Sequence, residues 1–102
     1  MVVHNKSDVP KALIAEFCRR HMIRRLALFG SIVHGDFGPE SDVDVLVEFD
    51  PAAEVGLDFF TMEEELGREL GRKVDLHTAG SLSRRFREQV LAEAEDQYAP
   101  AR

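Results

Sequence analysis

The sequence predicts a small α/β domain of the α+β kind, with a sheet of about three strands and helices packed against it. Two observations carry this. Short apolar runs at residues 26–29, 42–49 and 73–77 alternate with longer segments at 8–22, 57–70 and from Ser81 or Ser83 to about Tyr98, where apolar side chains recur at helical steps. The chain has 102 residues, enough for one core and too few for two, so a single domain spanning residues 1–102 is expected.

Taken in order, residues 8–22 carry Val9, Leu13, Ile14, Phe17 and Met22 as one apolar stripe. Ser7 or Asp8 is placed to cap this helix, and Pro10 suits its first turn. Arg24 and Arg25 are expected to close it, beside its negative C-terminal end. Cys18 is read as half-buried on the same helix. The run Leu-Ala-Leu-Phe at 26–29 stops at Gly30, as a buried strand would, and 31–35 form a short helix. Gly38-Pro39 marks a loop over 36–41. Residues 42–49 begin with strict alternation and are Val-rich, hence a strand. The helix over 57–70 has Phe59, Met62, Leu66 and Leu70 on its apolar face and Gly71 as a stop signal. A third strand covers 73–77, and a closing helix turns Phe86, Val90, Leu91, Ala94 and Tyr98 inward.

Composition narrows the class. Apolar residues make up 44% and charged residues 31%, an ordinary globular mixture, and the net charge is −6. A nucleic-acid-binding domain usually carries a basic face, so this charge disfavours nucleic acid as a direct ligand. With one cysteine there is neither an internal disulfide nor a Cys-based zinc site. The N-terminal run shows no signal-peptide pattern, and no apolar run approaches the ~20 residues that span a bilayer. A cytoplasmic protein with no membrane association is expected.

The chemistry concentrates in acids. Asp42 and Asp44 stand two apart on a strand, so both carboxylates point one way, about 6.6 Å apart along the backbone, while Val43, Val45 and Val47 face the core. Paired carboxylates suit Mg²⁺, which prefers oxygen ligands shared with substrate phosphates. Alone, Asp-x-Asp reads more simply as two solvated acids. Two further features shift the balance. Gly30-Ser31 follows a strand and opens a helix, where backbone N–H groups can meet a phosphate. Asp75 sits inside Val74-Asp75-Leu76, a strand-like run in which a lone acid is out of place unless a metal or a basic neighbour such as Arg72 or Lys73 accounts for it.

The stretch Leu28-Phe29-Gly30-Ser31, then Gly35, then Ser41-Asp42-Val43-Asp44-Val45-Leu46-Val47 resembles the signature of the DNA polymerase β-like nucleotidyltransferase superfamily. The short chain and Lys73-Val74-Asp75-Leu76 resemble its minimal nucleotidyltransferase branch, and the likeness covers nearly the whole sequence. It implies the nucleotidyltransferase fold with a small mixed sheet. It implies Asp42, Asp44 and Asp75 as catalytic carboxylates and ligands of two Mg²⁺ ions, and Gly30, Ser31 and Ser41 as nucleotide-binding residues. It further implies an antitoxin that uses ATP to adenylylate a tyrosine of a helical HEPN ribonuclease toxin, its hetero-oligomeric partner. One departure is visible: Ile32 follows Gly-Ser where relatives often have a polar residue.

Other readings remain open at this stage. The domain could neutralise a partner by binding alone, transfer a nucleotide to a small molecule or RNA, or be a small α/β domain with incidental acids. His21, His34 and His77 are read as surface, turn and strand-face residues, with His77 on the Asp75 face. Arg84, Arg85 and Arg87, like Glu63, Glu64 and Glu65, are read as solvated helix faces.

Overall fold

The computed structural model describes residues 2–54, 56 and 58–99. Its elements run α1 (Lys11–Arg20), β1 (Ile23–Phe29), α2 (Ser31–His34), β2 (Val43–Phe49), α3 (Asp58–Leu70), β3 (Val74–His77), α4 (Arg84–Glu93) and β4 (Glu95–Tyr98). The sheet has four strands in the order β3-β2-β1-β4. β2 pairs with β3 in parallel, and the other two pairings are antiparallel, so the sheet is mixed. Among the described residues no helix is long and apolar enough to cross a membrane.

The central strands are buried on both sides, and alternation sorts them into two cores. On one face Leu26 and Leu28 of β1, Val43, Val45 and Val47 of β2, and Val74 and Leu76 of β3 meet Ile14, Phe17 and Cys18 of α1 and Met62, Leu66 and Leu70 of α3. On the other, Ala27, Phe29 and Leu46 meet Leu82 and Val90, from α4 and the turn before it, with Ala94 packed beside them. Arg20 and His21 tie α1 to α3 through Glu65, at 2.6 and 2.7 Å. His21 is therefore a half-buried link rather than helix surface. Burial raises the Glu65 carboxyl, but hydrogen bonds from Arg20 and His21 outweigh it and hold the group below its usual range.

Several expectations need correcting. The sheet has a fourth strand, where a helix running on to Tyr98 was expected. α4 ends at Glu93, and β4 pairs Leu26 with Tyr98, Ala27 with Asp96 and Leu28 with Glu95. Its role is physical: β1 would otherwise leave a row of N–H and C=O groups unpaired. Its sequence, Glu-Asp-Gln-Tyr, has no strand-like pattern because its acids face water and cations, with Asp96 on Arg25 at 2.7 Å and Glu95 on Lys6 at 3.0 Å, while Tyr98 packs against the larger core as expected. Consequently Phe86 and Leu91 are exposed rather than core. Ser83 does cap α4, accepting from the Phe86 N–H. At the other end α1 stops early. Met22 takes a positive φ of 56° and is exposed, and Arg24 and Arg25 belong to β1, both paired to Glu48. Pro10, rather than Ser7 or Asp8, is the residue that enters α1. Cys18 is fully buried, and burial pushes its thiol up to about 12.

Candidate active site

Three backbone features bring the acids together. Val43 donates to the Lys73 carbonyl at 2.8 Å, which starts the β2–β3 ladder. The parallel register then sets Asp44 directly beside Asp75. Across the other side of β2, Asp44 lies opposite Phe29, the last residue of β1, so Gly30 follows immediately beside it. Asp44 and Asp75 share the thinly covered face with Leu46 and His77, while Val43, Val45, Val74 and Leu76 point into the larger core.

Gly30 is fixed by two constraints. Its φ of 76° lies where side chains are strained, and a Cβ there would run into the Asp44 carboxylate, with Asp44 Cγ only 3.1 Å away. The backbone must therefore be bare where it passes the acid. α2 begins at once. Val33 and His34 both donate to the Gly30 carbonyl, at 3.0 and 3.1 Å, whereas the N–H groups of Ser31 and Ile32 precede any helical acceptor.

The electrostatics are those of crowded acids. Burial, and next the charge of Asp75, hold the Asp44 carboxyl above its ordinary range; Asp42 adds to this and His77 opposes it. Asp75 is likewise raised, by burial first and then by the charge and close approach of the Asp42 carboxyl, against the pull of Lys73 and His77. The nearest cation contact is thin: Lys73 Nζ stands 3.7 Å from Asp42 and its side chain is 75% exposed. Among the described residues no three His, Cys, Asp or Glu side chains form a ready metal cage. Carboxylates that repel one another would not draw into one unaided. Their donor chemistry, three oxygen-bearing groups with little cationic compensation, nonetheless fits a hard divalent cation.

Two sequence-predicted residues sit differently from the acids. Ser31 opens α2 beside Gly30. Ser41 is turned into its own loop, where its Oγ accepts from the Gly38 N–H at 2.9 Å. His34 is paired with Glu93 of α4 at 2.9 Å. His77 does share the Asp75 face, with its ring set edge-on against Phe29 at 5.5 Å.

Arg72 was not singled out by sequence reasoning, beyond a suggested pairing with Asp75, and it organises the loop before Asp42. Its guanidinium donates to the carbonyls of Val3 at 2.8 Å, Gly38 at 2.6 Å and Ser41 at 2.7 Å, and it stacks on Phe37 at 4.1 Å. Glu63 is the other omission. Rather than lying on a solvated face, it accepts from the Leu76 N–H at 2.8 Å and so covers the open edge of β3. Neither role has a sequence signal, because in each case the partner is main chain. Arg87 likewise donates to the Ala79 and Leu82 carbonyls, while Arg84 and Arg85 are exposed.

Residues 10–96 match the nucleotidyltransferase domain family. The protein adenylyltransferase MntA of Thermococcus cleftensis is 38% identical over 78 residues, which cover 76% of this chain and 78% of the relative. Among solved structures, a toxin–antitoxin complex with AMP-PNP superposes with a TM-score of 0.75 at 22% identity, covering 89% of this chain and 74% of the other. A Shewanella oneidensis complex of a tri-AMPylated HEPN toxin with an MNT antitoxin gives 0.65 at 20% identity, covering 87% and 69%. The two structures share the fold. With a family match across most of its length and a relative of 38% identity, the chain belongs to the nucleotidyltransferase domain family and is a nucleotidyltransferase.

Proposed function

We propose that the chain is a minimal, single-domain protein adenylyltransferase that moves AMP from ATP to a tyrosine of a HEPN-type toxin and so acts as its antitoxin. The observation that carries this is Asp44 set beside Asp75 in the sheet, with Gly30 just past the end of β1 on its other side, Asp42 against Asp75 and few cations to balance them. The names of the relatives support the donor and the acceptor. The acidic charge of the whole chain supports a protein acceptor over RNA.

Asp42, Asp44 and Asp75 are the residues that would hold two Mg²⁺ ions. Bound there, the metal supplies neutralisation of charge on the phosphates and on both oxygens of an in-line displacement. The chain's own work is positioning. The bare backbone at Gly30 lets phosphate come close to the carboxylates, and the opening N–H groups of α2 with the Ser31 hydroxyl orient it. Ser41 contributes by keeping the loop before Asp42 folded. The acceptor hydroxyl gives up its proton, its oxygen bonds to the α-phosphorus, and the bond to pyrophosphate breaks. This reading makes it a cytoplasmic enzyme drawing on cellular ATP.

The test is to incubate the protein with Mg²⁺, α-labelled ATP and a HEPN-domain protein. Label is expected on the partner and is lost with Asp42→Asn. A complex that forms and neutralises the toxin without label, or an Asp42→Asn variant that neutralises fully, would replace catalysis with binding as the mode of action.

A further inference from the structure

A groove of about 610 Å³ opens beside Asp42, between the segments that lead into β2 and β3. Val2 and Phe37 line it with apolar surface, and His4, Glu40, Asp42 and Lys73 with polar groups. We propose that this groove is the acceptor seat, and that it takes a segment of folded or extended polypeptide presenting a hydroxyl-bearing side chain to the site. The inference rests on the adenylyltransferase reading above.

Three observations point this way. The first is position. The groove borders Asp42 and Lys73, yet neither Gly30 nor Ser31 lines it. In the sheet order β3-β2-β1, the phosphate-side turn after β1 lies on one side of β2, and residues 71–73, which wall the groove and lead into β3, lie on the other. An in-line displacement places the attacking and leaving oxygens on opposite sides of the phosphorus. With pyrophosphate on the Gly30 side, the attacking oxygen arrives from the opposite side of β2, where the segment leading into β3 walls the groove.

The second is chemistry. Both signs of charge line the groove, Glu40 and Asp42 against Lys73, next to the half-exposed Val2. A nucleic-acid track would be uniformly basic and interleaved with stacking platforms. Mixed charge with apolar patches suits a peptide surface. Its volume falls in the range of about 300–1,000 Å³ typical of ligand sites, enough for one aromatic side chain with its flanking backbone.

The third is construction. The groove's floor is held rather than loose. Arg72 bonds Val3, Gly38 and Ser41, joining the N-terminal segment to the loop before Asp42, and Phe37 packs over its guanidinium. One side chain therefore sets both the groove walls and the residue that precedes the Asp42 carboxylate.

The experiment uses Val2→Glu and Glu40→Lys, singly and together, since both side chains are exposed at the rim. Transfer is measured against acceptor protein concentration at saturating Mg²⁺–ATP, ATP affinity is measured separately by calorimetry, and melting temperature is recorded for each variant. The expected result is a rise of about 10-fold or more in acceptor KM, as for loss of roughly 1.4 kcal/mol of binding, with ATP affinity and melting temperature unchanged. An unchanged acceptor KM overturns the proposal. Weakened ATP binding with unchanged acceptor KM assigns the groove to the nucleotide and also overturns it. Failure of the unmodified protein to label any protein, with label going instead to an RNA or a small molecule, overturns the adenylyltransferase reading and the groove's occupant with it.

Discussion

The two faces of the sheet are built to different ends. Among the described residues, the face under α1 and α3 buries seventeen in one cluster, from Val3 to Leu76. The face under α4 buries five, and its remaining surface is given to Asp44, Asp75 and His77. Close packing on the first face supplies the stability; the second spends some of it by crowding carboxylates in a partly buried place. A small domain cannot do both on one surface, because burying the acids deeply enough to pack well would neutralise them. Placing the acids on the thin face leaves them reachable, and the thick face keeps the strands that carry them in register.

The largest expected effect is on the thin face. Asp44→Asn should reduce transfer by about 10³-fold or more, since the carboxylate has no substitute among its neighbours. The same variant should fold as well as the parent or better, because it removes charge from a crowded group. Retention of transfer above a tenth of the parent rate in a label-transfer assay would sink the assignment of Asp44 as a metal ligand.

Next come the cores themselves. Leu66 is fully buried between α3 and the sheet, so Leu66→Ala should cost about 2–5 kcal/mol. Val90 is the main α4 residue on the thin face, and Val90→Ala removes less apolar volume against fewer neighbours; about 1–2 kcal/mol is expected. Urea denaturation measures both. Equal losses would mean that the two faces contribute alike and that the contrast between them is only one of residue number.

How far the sequence predicts this arrangement follows from where its information lies. The central strands and the DxD pair are legible because a period-two pattern fixes faces, and Asp42, Asp44 and Asp75 are the acids that break an apolar run. α3 is legible because Met62, Leu66 and Leu70 repeat at helical spacing and all three are buried. β4 is not, since an outer strand covered with Glu, Asp and Gln satisfies a neighbour's backbone and leaves no hydrophobic trace. The early stop of α1 is hidden for a similar reason: Met22 looks apolar in sequence, but it turns outward at positive φ so that Ile23 can enter the sheet. Arg72 is invisible because its three acceptors are carbonyls, which every residue possesses.

Arg72 also offers a sharper probe of the thin face than any core residue. Arg72→Lys keeps the charge but loses the planar fork and the stacking on Phe37, so the carbonyls of Gly38 and Ser41 cannot both be satisfied. A loss of about 1–3 kcal/mol in stability is expected from the unpaired groups. If Arg72 acts only as a fold contact, the Mg²⁺ concentration giving half-maximal transfer will not move. If it positions Asp42, that concentration will rise well beyond what the stability change accounts for, with ATP-saturated kcat falling alongside.

The smallest effect distinguishes the faces by pH. Asp44 and Asp75 have folded values above their ordinary ones, so the native state holds their protons more tightly than the unfolded chain does. Their contribution to stability is fully present in acid, below the ordinary carboxylate range, and is lost as pH rises through the raised values. Glu48, held below its usual range by hydrogen bonds from Arg25 and Arg24, acts in the opposite sense. Its stabilisation is present above the ordinary glutamate range and is lost as pH falls through the depressed value. Acidification therefore relieves the site while loosening the Arg–Glu contact between β1 and β2. Asp44→Asn removes the first contribution and leaves the second. Without metal, the variant should melt about 2–6 °C above the parent near neutral pH, with the gap closing towards about pH 4 as the parent's acids take up protons. Mg²⁺ should narrow the gap from the other side, raising the melting temperature of the parent near neutral pH and leaving that of the variant nearly unchanged, because the cation needs the ionised carboxylates. A gap that stays constant across the pH range would mean that the acids are not crowded in the fold, and the thin face would then owe its weakness to sparse packing alone.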